Sequence, residues 1–364
     1  MHIKKNKKSN DVIIFLLPNF SGGGAERVAI NLFLELYKRG HHIELIVFND
    51  DGPLRTLIPK NVPIHSLEVK SLRKSIFKLI RKIRSLSPKI IFTTFGYINI
   101  VIIIMRSLFF RDTNVWIREA NLPSISLPNN NYHLAIWIGY RFIYRYADRV
   151  FCSSKRMKSE FLYNFHIPSS ILFLLPNPVN ELYIRDNAKK VLRDKGEGVR
   201  FVAVGRLVYQ KGFDILLELI SEFKDTKIKL RIIGDGPLYS KLQEQINNLK
   251  ISEQVILSGY CENPWQWIAG ADALLITSRW EGMPNVALES LACGTMVIAT
   301  DSSGGISEIC SQTIGNIFIA NSRSDFLNKM QSVKPRCNVV ISKSILPKEN
   351  TIGSVTRLFE HMLD

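Results

Sequence analysis

Residues 201–220 read FVAVGRLVYQKGFDILLELI, and this stretch indicates the fold class. Its first four residues, Phe201–Val204, are all apolar, as in a strand buried on both faces. A loop beginning at Gly205 then leads into an apolar helical run. A short apolar strand followed by a helix is the building unit of a parallel sheet, and the same unit recurs along the chain.

The recurring apolar runs predict two doubly wound α/β domains. A chain of 364 residues is too long for one ordinary core, and the pattern restarts after residues 176–178. We predict an N-terminal Rossmann-like domain at 1–178, a C-terminal one at 179–350 with a linker near 175–190, and a terminal helix in 351–364 that packs back on the first domain. The predicted strands are Val12–Leu17, Ile43–Phe48, Ile64–Leu67, Ile90–Phe92, Val115–Ile117, Arg149–Cys152, Ile171–Leu174, Phe201–Val204, Lys229–Ile233, Val255–Leu257, Ala273–Thr277, Thr295–Ala299 and Asn316–Ile319.

Three consecutive glycines, Gly22, Gly23 and Gly24, stand between the first predicted strand and a helix that runs to Arg39. Glycine lets the backbone approach a ligand closely, and free amides at a helix start attract anions. The loop is therefore a candidate phosphate or sugar site; the alternative is a tight turn without a ligand. It is not the dinucleotide fingerprint, because Arg27 occupies the position of the last glycine, and this weakens a dehydrogenase interpretation.

Two cations, Arg206 and Lys211, lie on the loop that follows the strand Phe201–Val204. At the carboxyl end of a parallel strand they can converge on a diphosphate. They can then neutralise charge on a leaving phosphate without a metal. The alternative is a pair of solvated cations beside a turn.

Two glutamates, Glu281 and Glu289, are separated by seven residues after the strand Ala273–Thr277. Proline suits the first position of a helix, so a helix starting near Pro284 places Glu281 in the loop and Glu289 on the helix. The free amides of Asn285 and Val286 offer an anion site. Carboxylates accept hydrogen bonds from hydroxyls, so the pair suits a sugar and a ribose; the alternative is a solvent-facing Glu289.

Together these motifs resemble the family 4 glycosyltransferases, whose GT-B fold has two Rossmann-like domains facing each other across a cleft. The resemblance also includes the Gly-Asp-Gly-Pro turn at 234–237 and the segment SGGISEI at 303–309. It covers essentially the whole chain and is strongest over residues 200–310. One departure is Pro178, where many relatives have glycine; proline cannot adopt the positive φ of glycine, which predicts a slightly different hinge.

The resemblance implies a retaining enzyme that takes a sugar from a nucleotide diphosphate sugar, with UDP the favoured carrier and no metal or cofactor. It implies that Arg206 and Lys211 hold the diphosphate, that Glu281 contacts the donor sugar, and that Glu289 binds the ribose. Tyr260 is expected near the base, and the glycine run near the sugar-phosphate. The nucleophile is left unassigned.

Arg118 and Glu119 end the fifth predicted strand and are candidates for acceptor handling. The basis is again the carboxyl end of a parallel strand. A salt-bridged pair at the start of a loop is the alternative.

The segment from Lys70 to Arg84 predicts a basic amphipathic helix. We expect its apolar stripe to pack inward and its basic face to dock on an anionic membrane; the alternative is an ordinary solvated face. The stripe consists of Leu72, Ile76, Leu79, Ile80 and Ile83, and the basic face of Lys70, Arg73, Lys74, Lys78, Arg81, Lys82 and Arg84.

The net charge of +16 is concentrated in the first half of the chain. Residues 1–180 hold 26 Lys and Arg against 11 Asp and Glu, while residues 181–364 hold 22 against 21. This favours an acidic partner, either anionic lipid or nucleic acid. No apolar run reaches the roughly 20 residues that span a bilayer. We therefore expect a cytoplasmic, peripheral enzyme at the inner face of the membrane, acting on a lipid-linked acceptor in surface polysaccharide assembly.

Other functions stay open from the sequence. A soluble acceptor, a sugar-nucleotide epimerase on the same fold, and a phosphorylase are alternatives, although the lysine context that a phosphorylase cofactor needs is missing. A nucleic-acid-binding protein is suggested by charge alone. No nucleic acid is expected as a partner, because the chain lacks interleaved surface aromatic residues and any known binding module.

Overall fold

The computed structural model describes residues 12–69, 72–128, 132–223, 227–302, 304–313, 315–337 and 340–363. These divide into two compact units. Unit 1 contains the described residues up to Pro178 and from Ile352 onward, and unit 2 contains Val179–Thr351. Lys70 and Ser303 lie outside the described residues, and of Arg73 and Lys74 only the helical backbone is described.

All the strands predicted from the sequence are present, and no strand end differs from its predicted position by more than one residue. Short runs of β-branched and aromatic residues account for them, because such residues pack well in a sheet buried on both faces. The strands are β1 (Ile13–Leu17), β2 (Ile43–Val47), β3 (Ile64–Ser66), β4 (Ile90–Thr93), β5 (Asn114–Arg118), β6 (Arg149–Cys152), β7 (Leu172–Leu174), β8 (Arg200–Val204), β9 (Lys229–Ile233), β10 (Val255–Leu257), β11 (Ala273–Ile276), β12 (Met296–Thr300) and β13 (Ile317–Ala320).

Helices follow most of the strands and cover both faces of each sheet. They are α1 (Gly24–Lys38), α2 (Leu72–Leu86), α3 (Gly96–Phe109), α4 (Pro123–Ser126), α5 (His133–Ile138), α6 (Lys155–Tyr163), α7 (Glu181–Asn187), α8 (Phe213–Ser221), α9 (Tyr239–Asn248), α10 (Trp265–Gly270), α11 (Asn285–Ala292), α12 (Ile306–Cys310), α13 (Arg323–Ser332) and α14 (Ile352–Glu360).

Each unit contains one all-parallel sheet, which confirms the doubly wound prediction. In unit 1 the strand order is β3-β2-β1-β4-β5-β6-β7, and in unit 2 it is β10-β9-β8-β11-β12-β13. The order reverses between β1 and β4 in the first sheet, and between β8 and β11 in the second. In sheets of this kind, ligands bind beyond the carboxyl ends of the strands at such a reversal.

The segment between the two sheets is not a plain linker. Residues 181–187 form α7, which packs against α10 and α11 as part of unit 2. The side chain of Asn180 caps this helix by accepting from the Tyr183 amide at 3.1 Å. Residues 181–187 of the predicted linker 175–190 are therefore a helix of unit 2, and the linker prediction is corrected there.

The terminal helix α14 packs in unit 1 against α1. Its Phe359 is fully buried in a cluster of aromatic rings. The ring centroids nearest to Phe359 belong to Trp116 at 5.1 Å and Phe92 at 5.5 Å. Burial of a large aromatic side chain is a main source of folding free energy, so α14 is part of the core of unit 1.

Candidate functional site

In unit 2, the loops that carry the predicted site residues begin where the strand order reverses, after β8 and β11. The loop after β8 carries Arg206 and Lys211, and the loop after β11 carries Glu281. Lys211 Nζ donates to Glu281 Oε1, and Ser278 Oγ donates to the same oxygen at 2.9 Å. Glu281 is buried, and Lys211 is largely shielded from solvent. The two loops are thus joined by an ion pair where the sheet order reverses.

Both bonds to Glu281 use one carboxylate oxygen. Within the part of unit 2 that the structure describes, Oε2 accepts no hydrogen bond, and it is not sealed from solvent. A carboxylate oxygen with unused lone pairs can accept from a hydroxyl group. Glu281 therefore presents Oε2 as a hydrogen-bond acceptor, while Oε1 holds the two loops together.

Two glycines allow close backbone approach here, Gly212 between the loops after β8 and β11 and Gly234 between the loops after β9 and β8. Gly212 has φ +64°, and a Cβ there would lie 2.1 Å from the Thr277 carbonyl oxygen. At Gly234 a Cβ would lie 1.9 Å from the Gly205 carbonyl oxygen. No residue with a side chain fits either position without displacing backbone.

A second ion pair ties the loop after β11 to the first turn of α8. Arg279 donates to both carboxylate oxygens of Asp214, at 2.8 and 2.6 Å. This bonding to Arg279 lowers the pKa of Asp214. Arg279 also lies over the ring of Tyr209, 3.9 Å from its centroid, and Gln210 donates to the Trp280 carbonyl oxygen at 2.9 Å. These contacts fix the positions of Lys211 and Glu281 relative to each other.

Arg206 differs from its neighbours in the loop. Its side chain is exposed, and it forms no hydrogen bond or ion pair with any residue that the structure describes. It lies two residues after the end of β8, and the amide of the next residue, Leu207, donates to the carbonyl oxygen of Asp235 at 2.9 Å in the adjoining Gly-Asp-Gly-Pro turn. An unpaired guanidinium beside a packed turn is available for an anionic ligand.

Glu289 lies on α11, one helix turn beyond Asn285 and Val286. Its Oε2 accepts from the indole N–H of Trp265 at 3.0 Å. The helix begins at Asn285 and not at Pro284, which occupies the capping position before it; the prediction of proline in the first helical turn is corrected by one residue. Tyr260 is exposed, next to Gly259, whose carbonyl accepts from the Gly234 amide at 2.8 Å.

In unit 1 the glycine run lies after β1, at the reversal of that sheet. Gly23 caps α1 and Gly24 is its first residue. Glu26 is buried and folds back towards the loop, where it accepts from Ser21 Oγ at 2.5 Å. A carboxylate at the helix start competes with a bound anion for the same amides. The loop suits a hydroxyl-bearing ligand at least as well as a phosphate.

Arg118 and Glu119 are both buried at the carboxyl end of β5. They form no ion pair with each other within the described part of unit 1, so the salt-bridge alternative is wrong. Arg118 Nη2 donates to Asn177 Oδ1. Glu119 accepts from Tyr144 Oη, from Asn99 Nδ2 at 3.0 Å, and from Tyr140 Oη at 3.3 Å.

Burial dominates the electrostatics of this pair. It raises the pKa of Glu119 to about 7, against the opposing effect of the three donors. It lowers the pKa of Arg118 to about 10. Near neutral pH, Glu119 therefore has both protonation states within reach, while Arg118 stays charged.

The sequences of both units are similar to those of known proteins. The Glycosyltransferase Family 4 profile matches residues 22–181, and the Glycosyl transferases group 1 profile matches residues 184–334. A Campylobacter jejuni protein, N-acetylgalactosamine-N,N'-diacetylbacillosaminyl-diphospho-undecaprenol 4-alpha-N-acetylgalactosaminyltransferase, is 30% identical over 303 residues, 80% of this chain and 81% of that protein. The chain belongs to the family 4 glycosyltransferases.

One further relative and one solved structure are similar to this glycosyltransferase over different shares of the chain. An uncharacterised glycosyltransferase of Methanocaldococcus jannaschii is 29% identical over 250 residues, which are 65% of this chain and only 61% of the archaeal protein. The solved structure of Anabaena Alr3699/HepE in complex with UDP and glucose has a TM-score of 0.76 at 16% identity, covering 97% of this chain and 99% of that one. The structural likeness confirms the GT-B fold prediction.

Several residues that organise the glycosyltransferase site escaped sequence analysis. Ser278, Arg279 and Asp214 hold the two loops of unit 2, and Trp265 orients Glu289. In unit 1, Asn99, Tyr140 and Tyr144 surround Glu119. They lie 20 to 25 residues from it in the sequence. Of these residues, only Asp214 could have been found from the sequence pattern, because it lies two residues after the Lys211-Gly212 pair.

Along the described part of its stripe, from Ile76 to Ile83, the apolar side chains of α2 in this glycosyltransferase are buried or partly buried as predicted, and of Leu72 only the backbone is described. Leu79 and Ile83 are fully buried. Lys78, Arg81 and Arg84 are exposed, and Lys82 is partly exposed. Phe77, which no sequence prediction singled out, is 86% exposed among these cations.

Two kinds of feature are absent from the described ranges. No helix there is both long and apolar enough to cross a bilayer. No group of three or more His, Cys, Asp and Glu side chains there has an arrangement that could hold a metal ion. The expectation of a metal-free, cofactor-free enzyme stays a prediction.

Proposed function

We propose that this glycosyltransferase transfers a hexose or N-acetylhexosamine from a UDP-sugar to a lipid-linked acceptor, with retention of anomeric configuration, in bacterial surface polysaccharide assembly. The observation that carries the proposal is the joining of Lys211 and Glu281 at the sheet reversal of unit 2, with Glu289 on the helix that follows. Two relatives support the substrate classes. The name of the Campylobacter relative specifies a diphospho-undecaprenol-linked sugar, and the Anabaena structure holds UDP and glucose.

The transfer breaks the bond between the sugar C1 and the diphosphate oxygen. The acceptor hydroxyl oxygen forms a new bond to C1 on the same face and loses its proton, and UDP leaves. Negative charge builds on the diphosphate, where preorganised cations stabilise the transition state most. Two cations for this charge, Arg206, which is exposed and unpaired among the described residues, and Lys211, lie on the loop after β8.

The two glutamates have separate tasks in this proposal. Oε2 of Glu281 accepts a hydroxyl of the donor sugar, because Oε1 is already used by Lys211 and Ser278. Glu289 accepts the ribose hydroxyls, and the indole of Trp265 holds its carboxylate in place. Tyr260 lies by the base, and the amides of Asn285 and Val286 face the diphosphate. The nucleophile stays unassigned.

Unit 1 supplies the acceptor side. Glu119, with a pKa of about 7, can accept a proton near neutral pH, and Arg118 beside it attracts an anionic group. Gly22, Gly23 and Gly24 approach the sugar-phosphate. The exposed cations of α2 meet the anionic inner leaflet of the cytoplasmic membrane, where each contributes about 1 kcal/mol of attraction.

The proposal is tested first by thermal unfolding with UDP, GDP, ADP and NAD in parallel. At 100 times its dissociation constant, a ligand stabilises the folded state by about 2.7 kcal/mol. We expect a shift with UDP that Glu289→Ala weakens. Glu244→Ala, an exposed glutamate on α9, is the matched control and should keep the shift.

A second measurement follows UDP release and product anomer by NMR with a UDP-sugar and a polyprenyl-diphosphate sugar. Lys211→Ala should lower kcat by about 10²–10³, as expected for loss of a group that stabilises transition-state charge. Lys241→Ala, an exposed lysine on α9, should not. Stabilisation by NAD alone, or free epimerised product without acceptor, would reject the proposal, and an inverted product would reject retention.

A further inference from the structure

An apolar helix of unit 1 is open to solvent on almost every side. Helix α5 reads HLAIWI, and none of its residues is buried. Leu134, Trp137 and Ile138 are 63%, 42% and 43% exposed. A helix of this composition in a soluble protein normally buries its apolar side chains, and contiguous exposed ones mark an interaction surface.

The exposure does not come from loose packing. Helix α5 continues as a π-helical turn over Gly139–Ile143 and a 3₁₀ turn over Tyr144–Tyr146, and we call residues 133–146 the aromatic segment. Tyr140 and Tyr144 anchor it, because both are buried with their ring centroids 5.5 and 5.7 Å from that of Phe161. The segment is thus held firmly on its inner side while its outer side chains stay exposed.

The outer side chains form ordered contacts with one another. The rings of Trp137 and Phe142 meet edge to face at 6.3 Å, and the Arg141 guanidinium lies 5.4 Å from the centroid of Phe142. Phe142 is itself exposed. An aromatic pair beside a cation, on the surface of a folded unit, resembles the residues that anchor proteins at a membrane–water interface.

Neighbouring helices extend the exposed apolar surface. Helix α3 packs against both α2 and the aromatic segment. Arg106 of α3 donates to the Tyr146 carbonyl oxygen at 3.2 Å. Ile104 and Leu108, which flank Arg106 in α3, are exposed. The apolar surface is therefore not confined to one short helix.

Every charged residue within α2, α3 and the aromatic segment is a cation, and the nearby carboxylate of Asp148 is paired with Arg106 at 2.6 Å. No Asp or Glu occurs between Glu119 and Asp148, and none occurs between Glu68 and Asp112. Arg141 and Arg145 lie within the aromatic segment itself. Cations beside exposed apolar and aromatic side chains complement an anionic lipid surface, with the rings entering the headgroup region and the guanidinium groups binding phosphates.

A second copy of the chain fits this surface poorly. A two-fold interface places the same patch on both partners, so the cations of the aromatic segment would face each other. We propose that the aromatic segment inserts its outer side chains into the headgroup region of an anionic bilayer and holds unit 1 there. The inference rests on the membrane setting of the proposed function, but it concerns other residues than the basic face of α2, and its test uses no sugar donor.

Vesicle flotation tests the insertion directly. The full chain is mixed with phosphatidylcholine vesicles with or without 30% phosphatidylglycerol, in a salt series. Salt screens charge attraction but not apolar insertion. We expect binding to the anionic vesicles, with a fraction that survives high salt. Leu134→Ser with Trp137→Ser should weaken partitioning at least tenfold and abolish that fraction, whereas Leu182→Ser, at a 78% exposed leucine of α7, should not.

Quenching by brominated lipid locates the insertion. Wild-type fluorescence should be quenched by vesicles containing brominated acyl chains. Trp137→Phe should lose most of that quenching, while Trp267→Phe, in unit 2, should keep it. Equal quenching in wild type and Trp137→Phe, or flotation unaffected by the double serine variant, overturns the inference, as does dimerisation through this surface without vesicle binding.

The UDP-induced thermal shift, measured on the same variants, separates the two proposals. Serine variants that keep the shift are folded and have an intact donor site, so a lost flotation is then due to the surface. A wild-type chain that floats but shows no UDP shift would leave the insertion standing and reject the donor assignment. A chain with a UDP shift but no flotation would do the reverse.

Discussion

Replacing Glu119 by glutamine should change how the stability of the protein depends on pH. Glu119 is buried among Tyr140, Tyr144 and Asn99. Its pKa rises from 4.5 to about 7 because burial disfavours the carboxylate. Glutamine has the same shape and no charge, and its amide can donate to the tyrosine hydroxyls. The Glu119→Gln variant therefore keeps the packing and removes only the titration.

The direction in which stability changes with pH follows from proton binding. Between pH 4.5 and 7 the unfolded chain ionises Glu119 while the folded chain retains its proton, so unfolding releases a proton. The stabilisation of the neutral group is fully present below pH 4.5 and is lost as the pH rises through about 7. At about 1.4 kcal/mol per pH unit, the wild type loses about 3 kcal/mol that the variant does not.

Urea unfolding of both proteins between pH 4.5 and 8 measures this difference. All other titrating groups are shared, so they cancel in the variant-minus-wild-type free energy of unfolding. We expect this quantity to rise by about 3 kcal/mol and to level off above pH 7. Glu244→Gln, at an exposed site, should show no trend. A difference that stays within about 0.5 kcal/mol over the whole range would contradict the burial argument.

The remaining predictions concern backbone and core. Gly212→Ala should destabilise unit 2 by more than about 2 kcal/mol, because a left-handed φ is combined with a Cβ 2.1 Å from the Thr277 carbonyl oxygen. Gly40 also has a positive φ but has open space around it, so Gly40→Ala should lower the free energy of unfolding by only about 1 kcal/mol in a melting experiment. Phe359→Ala should cost about 3–5 kcal/mol in urea unfolding, and Leu358→Ala, on the exposed side of α14, less than about 1; equal costs would contradict the packing of this helix.

The elements of both sheets could be predicted because their signal is local. A strand such as Phe201–Val204 buries both faces, so its residues are uniformly apolar, and the loop and helix that follow are marked by glycine and by the change in pattern. The same local order placed Arg206 and Glu281 at strand ends. Parallel strands bring their carboxyl ends to one edge, so the sequence also indicated which edge carries the site.

Several features of the site depend on contacts between distant residues. The bond of Lys211 to Glu281 joins positions 70 residues apart, and that of Trp265 to Glu289 positions 24 apart. No periodicity connects such positions. Strand order decides which loops meet, and side-chain geometry then decides which groups form bonds.

The sequence by itself determined the fold class, the two sheets and the edge at which chemistry-bearing residues gather, because strands and turns follow from nearby residues. Only the tertiary structure decided that Glu119 is buried among two tyrosines, or that α5 leaves Leu134 and Trp137 exposed. An apolar residue has the same transfer free energy wherever it stands, and a carboxylate the same intrinsic pKa. Burial decides whether the apolar residue stabilises the fold and how far the pKa of the carboxyl group shifts. Burial in turn depends on which distant segments pack around the residue.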